Sequence, residues 1–342
     1  MKRITTRTSL IVALGACALA AGACDESQAY GDANTVIVAT TPEIWNAVQD
    51  SVQAILEPEI YTVRRERTFD LTFQDPAEEA WSRMQLFRQE LVIGSEEDPW
   101  VARALEEYDG DEPLSPPRIV QVENVWARNQ LVTVLLLPPG GGAEDVLGLL
   151  PELHELMDEQ FREYARSRMF LSGRDTALAR SLMQEAGFTL EIANVYDTIF
   201  RDSVYIFRND NPSPSELIRQ VTVTWRSPVP GTEPTVDSLL AWRTNIAEVY
   251  YPYPQVNDTT TLQSREGSFR GMPVTEIQAV WSNPPEDAFP AGGPFILRAV
   301  ECPPDDRLYL LDAWLYAPGQ DKYEYMIQLE TILSSFRCTT ES

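Results

Sequence analysis

Apolar residues in this chain fall into two kinds of run. Ile44, Trp45, Val48, Val52, Ile55 and Leu56 recur three and four apart, the spacing of one helical face. Thr41 reads as the cap of that helix, with Pro42 at its first position and Glu43 in its first turn. The same period predicts helices over about 143–169, 175–186, 236–250 and 322–336. Pro151 reads as a kink or restart in the first of these and Gly187 as the stop of the second; Met326, Leu329, Leu333 and Phe336 form the buried stripe of the last. Shorter helices follow Asp75-Pro76 and Asp98-Pro99. Between them lie β-rich stretches at 35–39, 61–73, 90–94, 118–122, 130–137, 188–192, 204–207, 218–225, 277–281, 295–302 and 308–316. Helices mixed with hairpin-connected strands predict an α+β fold, mostly antiparallel sheets packed against amphipathic helices. An order of strand, strand, break and helix closes both 118–169 and 295–336, which admits two related halves, 35–187 and 188–338, forming one unit or two.

The first 34 residues follow a different rule. Lys2, Arg3 and Arg7 precede an apolar stretch from Leu10 to Ala23, roughly 14 residues, which suits a signal peptide and is short of the 20 a spanning helix needs. It ends in Ala20-Ala21-Gly22-Ala23-Cys24, small residues immediately before a thiol, and then turns polar at Asp25. That string resembles the lipobox of bacterial lipoproteins, in which the leader is removed and the cysteine acylated. Cys24 is therefore the expected lipidation site, with 1–23 as leader and 24–34 as polar spacer. Cys17 ends a second such string but leaves a very short apolar segment; an ordinary secretory cut near Ala23 is the plainer alternative. Asp25 resembles an inner-membrane retention signal of enteric bacteria, and the reading leaves inner membrane, outer membrane or cell surface open.

The chain has 342 residues, 44% hydrophobic, with 52 acids against 27 bases and a net charge of −25. So acidic a body is repelled by phosphate backbones and anionic headgroups, which argues against nucleic-acid binding. The partners expected instead are the membrane, through the lipid anchor, and an envelope protein.

Few residues offer chemistry. The single histidine, His154, borders the apolar face of a helix, and no nucleophile-elbow pattern accompanies it. With one histidine, and with Cys302 and Cys338 the only cysteines of the expected mature body besides the anchor, a zinc site built from several His and Cys is nearly excluded by number, and no metal, cofactor or catalytic residue is assigned. Asp109-Gly110-Asp111-Glu112 lacks the spacing of a calcium loop. The run Gly140-Gly142 is followed by Glu144 and Asp145, which disfavour an anion there. Cys302 ends a predicted strand and Cys338 follows the last helix, so a helix returning across the sheet brings both to one end; an exported chain can join them. Most of the eight tryptophans fall at core positions. Trp126, in a turn, and Tyr251 and Tyr253, in a Pro-rich aromatic loop, are the candidate ligand-contacting residues.

Several of these residues carry a likeness. Trp45 in the first helix, Trp126-Ala127 with Gln130, Val280-Trp281, Gly292-Gly293-Pro294-Phe295, Trp314-Leu315-Tyr316-Ala317-Pro318, Tyr325 and Gln328-Leu329-Glu330 stand in one collinear order over about 35–337. In this the chain resembles the domain of unknown function 4837 family of bacterial lipoproteins, with Ala291 where a Met is expected. The resemblance implies a lipid tether and supplies no catalytic residue. The closing segment, 309–336, also resembles the end of PsbP-like α+β proteins, in fold only. The function this predicts is that of a membrane-anchored extracytoplasmic lipoprotein, more a binding or envelope-support protein than an enzyme. The alternatives are a carboxylate-based hydrolase of envelope glycans and a small-ligand binding module.

Overall fold

Largely apolar runs form the central strands of the smaller of two main sheets. The computed structural model describes residues 27–111, 113–211, 216–229, 231, 234–284, 286 and 290–338. In chain order the elements begin with β1 (Thr35–Ala39), α1 (Pro42–Leu56), β2 (Glu59–Tyr61), β3 (Arg65–Arg67), β4 (Asp70–Gln74), α2 (Trp81–Met84), β5 (Gln89–Gly94), α3 (Pro99–Leu105), β6 (Arg118–Glu123) and β7 (Leu131–Leu136). They continue with α4 (Ala143–Met169), α5 (Thr176–Ala186), β8 (Phe188–Thr189), β9 (Asp197–Arg201), β10 (Val204–Asn211), β11 (Leu217–Arg226) and α6 (Val236–Tyr250). The last are β12 (Val256–Phe269), β13 (Met272–Ser282), β14 (Gly292–Cys302), β15 (Arg307–Tyr316), α7 (Tyr323–Ser334) and β16 (Arg337–Cys338). The residues divide into two compact units, Met1–Gln49 with Leu71–Leu149, and Asp50–Asp70 with Leu150–Ser342. This division falls inside α4, whereas the sequence places the boundary between halves at 187; the β2–β3 hairpin also goes with the C-terminal residues.

The first unit holds a five-stranded sheet of order β4-β1-β5-β7-β6. β5 runs parallel to both β1 and β7, and β6 is antiparallel to β7. β1, β5 and β7 are buried at every residue but the first, which is what burial on both faces of a parallel sheet requires. Val92, Val120, Val132, Val134 and Leu136 pack against Val101 and Ala104 of α3, with Trp81 and Trp100 at the margin. Gln130 ties this unit: its side-chain amide donates to the carbonyls of Gln85 and Phe87 at 2.7 Å each and accepts from the Trp126 N–H at 2.9 Å.

The second unit holds a seven-stranded sheet of order β12-β13-β14-β15-β11-β10-β9, antiparallel at every pairing. One face packs Val221, Val223, Leu311 and Leu315 against Leu329 and Ile332 of α7, Phe336 just after it and Leu182 of α5. The other packs Ile206, Leu297, Leu310 and Trp314 against Leu239, Trp242 and Ile246 of α6. α5 starts where the Asp175 carboxylate accepts from the Leu178 N–H at 2.8 Å and stops at Gly187, whose φ of 78° is left-handed. The fold is thus α+β, the expected class, with antiparallel pairing dominant in the larger sheet and a parallel centre in the smaller. α4 runs through Pro151 without a break. Both strand–strand–helix segments form antiparallel hairpins followed by helices; β7, however, lies against a parallel neighbour and β15 against an antiparallel one. Among the described residues no helix is long and apolar enough to cross a membrane.

Candidate functional site

Alternation along β10 and β11 sets up the site. On β11, Leu217, Arg219, Val221 and Val223 share the face that packs on α7, and Asn209 of β10 lies directly opposite Arg219 in register. An arginine thus occupies a core position in a row of aliphatic residues. Arg219 is 6% exposed. Its Nη1 donates to the Gln328 side-chain carbonyl, and its guanidinium carbon lies 5.7 Å from the centre of the Tyr325 ring. Its Nε has no hydrogen-bond partner, and no carboxylate among the described residues pairs with it. The buried Tyr196 hydroxyl is also unpartnered; burial raises its pKa and the Arg219 charge opposes that rise.

Arg219 borders a cavity of about 540 Å³, lined also by Asn209, Leu217, Tyr325 and Gln328, with Met169 and Arg168 from the end of α4; Tyr196 is not part of that lining. The loop residues Leu171 and Val195 stand at its rim. Arg168 is compensated: its Nε lies 3.4 Å from Glu324, which also accepts from Gln328 at 3.1 Å. A guanidinium buried with one neutral acceptor is costly, since an ionised group out of water needs an opposite charge and its full set of acceptors.

A second cavity of about 420 Å³, also in this unit, is lined by Glu59, Arg162, Gln278, Phe295, Tyr323 and Glu330, among others. Its charges are matched. Arg65 donates to Glu59 at 2.9 Å, and Arg162 donates to Glu330 at 3.0 Å and Asp158 at 2.7 Å. Burial would raise the Asp158 pKa, but hydrogen bonds from Tyr323 and Arg162 outweigh it and lower the value; His154 adds to the lowering. Nearby, the Lys322 ammonium and Glu66 form a buried pair at 3.0 Å.

The residues singled out from sequence scatter. Cys24 lies outside the described residues, as do the leader and Glu112. Trp126 belongs to the first unit, is partly buried, and meets Trp81 edge-on at 5.2 Å. Tyr253 is 50% exposed, with the Arg208 guanidinium 5.6 Å from its ring centre. Tyr251 corrects the sequence reading: it is buried, not at the surface. Its N–H continues the end of α6 by bonding to the Ala247 carbonyl, and its hydroxyl donates to Asp312 at 2.6 Å. The structure joins Cys302 and Cys338 in a disulfide, with Cα atoms 6.7 Å apart. With Asp305 they are the described group of metal-ligating residue types, and both thiols are consumed by the bond. Arg219 and Asn209 carry the site without having been singled out, and Gln328 was named only for the family likeness. The available signal was Arg219 in phase with Val221 and Val223.

Comparison with known proteins adds a family and little more. No curated protein matches the chain. The solution structure of cyanobacterial PsbP (CyanoP) from Synechocystis sp. is similar to part of it, at 11% identity and a TM-score of 0.31, over 44% of this chain and 86% of that one. The crystal structure of the Saccharomyces cerevisiae Ran-binding protein Mog1p is similar at 8% identity and a TM-score of 0.30, over 45% of this chain and 91% of that one. The model of a domain of unknown function, DUF4837, matches residues 175–335. That stretch holds Trp281, the Gly292-Gly293-Pro294-Phe295 segment, Trp314 and Gln328, together with the strands and the helix that frame Arg219. Residues 175–335 of this chain are a domain of the DUF4837 family.

Proposed function

We propose that this chain is a binding protein rather than an enzyme, tethered through Cys24 to an extracytoplasmic membrane face, with the Arg219 cavity as its ligand site. The observation that carries this reading is the Arg219 guanidinium: buried at a cavity wall, unpaired at Nε, and without a carboxylate partner among the described residues. A site that leaves a charge unsatisfied in its own fold is built to receive the missing partner. The tether rests on the lipobox string ending at Cys24. In the second cavity Glu59 and Glu330 are both engaged by arginines, which offers little to a hydrolase built on two free carboxyl groups.

Protein purified from its native membrane tests both halves. Expected are fatty acyl chains on Cys24 and a small molecule that native mass spectrometry finds on the wild type but not on Arg219→Gln. An unacylated chain that carries no ligand and turns over a glycan or ester overturns the reading.

A further inference from the structure

The interior of the Arg219 cavity has a simple charge balance. Asp197 and Asp210 contribute to its lining, yet strand alternation turns their side chains to the opposite face. Asp210 pairs with Ile218, which packs toward α6, and accepts from Arg208 Nε at 2.6 Å; Asp197 pairs with Arg208. On the cavity side Arg168 and Glu324 cancel. One positive charge is left over, on Arg219. A polyanion exceeds this balance, and a neutral ligand leaves the charge unmet.

The rest of the wall is apolar. Met169 and Leu217 are buried in it, while at the rim Leu171 is 84% and Val195 is 51% exposed. Large aliphatic side chains held this open gain by being covered. About 540 Å³ is also far more room than an isolated inorganic anion occupies, and lies within the range of small-molecule sites.

We propose that this cavity binds an amphipathic monocarboxylate: its carboxylate on the Arg219 guanidinium, its apolar body along Met169, Leu217, Leu171 and Val195. The assignment rests on reading the cavity as the ligand site. It fixes the ligand's chemistry as one ionised carboxylate on a non-polar body.

The test titrates the full chain in detergent with 4-phenylbutyrate, its uncharged amide and inorganic phosphate, followed by calorimetry. Arg219→Gln titrated identically reports partition into the micelle. Expected is binding of the acid at least about tenfold tighter than the amide, the worth of one charge-assisted hydrogen bond. Arg219→Gln should abolish that preference. Should Arg219→Gln fail to fold, the wild-type preference for acid over amide and the phosphate competition decide. Equal binding of acid and amide overturns the carboxylate assignment and leaves the cavity as a ligand site. Phosphate competing with the acid overturns it in favour of a general anion site. No heat from any probe at millimolar concentration overturns both the assignment and the site.

Discussion

Tyr251 donates a hydrogen bond of 2.6 Å to Asp312, and both side chains are buried. The second carboxylate oxygen of Asp312 accepts from Arg243 Nε at 3.0 Å, and the remaining guanidinium nitrogens donate to Asn257 and Gln255 at 2.6 Å each. Arg243 lies 3.9 Å from the centre of the Phe295 ring and is fully buried. The end of α6, the start of β12 and the middle of β15 are therefore tied through one ion pair. Burial first, then the adjacent Asp312 charge, hold the Tyr251 hydroxyl well above its usual pKa, so it stays a donor through the neutral range.

Breaking this network from either end should cost different amounts. Asp312→Ala strands the Arg243 guanidinium in the interior, and a loss of about 3–5 kcal/mol is expected. Tyr251→Phe removes one bond to a charged acceptor and should cost roughly 1.5–3 kcal/mol. Urea unfolding of the two variants checks the order. Equal losses would mean that stranding Arg243 adds no cost, and no loss in Tyr251→Phe would mean that Asp312 gains nothing from the tyrosine.

Gly293, in the Gly292-Gly293-Pro294-Phe295 segment, sits where only a glycine fits. A Cβ built there would stand 1.6 Å from the Leu315 carbonyl oxygen and 2.9 Å from Trp281 Nε1, whose N–H donates to that same oxygen at 3.2 Å. Neither backbone can yield without opening the β14–β15 pairing. Gly293→Ala is expected to destabilise by about 3 kcal/mol or more, at the upper end for overpacking, whereas Gly267→Ala on β12, where a Cβ meets nothing within 4 Å, should stay within about 0.5 kcal/mol. Thermal unfolding of both variants makes the comparison.

Most of the architecture was legible where burial is one-sided or complete. The 236–250 helix is predicted to the residue, and the 175–186 helix is recognisable by its Asp175 cap and Gly187 stop. Three kinds of feature were not. β12 is long but mostly exposed along its length, so Asn257, Asp258, Arg265 and Glu266 give it no apolar alternation to detect; its order comes from pairing with β13. β10 continues through Arg208 to Asn211, polar residues that read as a strand end, and so Asn209 went unnoticed. Tyr251 reads as a surface aromatic because the proline-rich loop around it is polar, and only the fold brings Asp312, sixty-one residues away, to its hydroxyl. Arg219 was visible as a charge in an apolar row, yet its lack of a partner is a three-dimensional fact.

Cys302 and Cys338 are both fully buried in the core beneath α7. The loop they close spans 36 residues, for which chain entropy gives a stabilisation of about 4 kcal/mol. The Cys302→Ser/Cys338→Ser double variant should lose about 2–4 kcal/mol in urea unfolding. Because no reductant reaches sulfurs buried this deeply, dithiothreitol alone should leave the bond intact, and denaturant with dithiothreitol should release two thiols. Alkylation followed by mass spectrometry reads this directly; two free thiols in the native, untreated protein would remove the bond from the account.

Glu90 is the least comfortable residue of the first unit. It lies on β5 in register with Ile37 of β1 and Val132 of β7 and is 1% exposed; its carboxylate oxygens make no hydrogen bond of ordinary geometry, and the Phe87 backbone only partly offsets the effect of burial. Burial pushes its pKa well above the usual carboxylate value of 4.5. Below about pH 4.5 the group is protonated in both folded and unfolded chains and contributes no pH dependence. Above that point the unfolded chain releases the proton and the folded chain keeps it, so stability falls as pH rises, until the folded carboxyl itself titrates. Glu90→Met, which fills the same space without a polar atom, is therefore expected to stabilise the protein at pH 7 by on the order of 1–3 kcal/mol, and by clearly less at pH 4. Urea unfolding of wild type and variant at both pH values measures the difference. A gain independent of pH would show that Glu90 ionises in the folded state with its ordinary pKa, and a loss at pH 7 would show that its carboxyl has a partner.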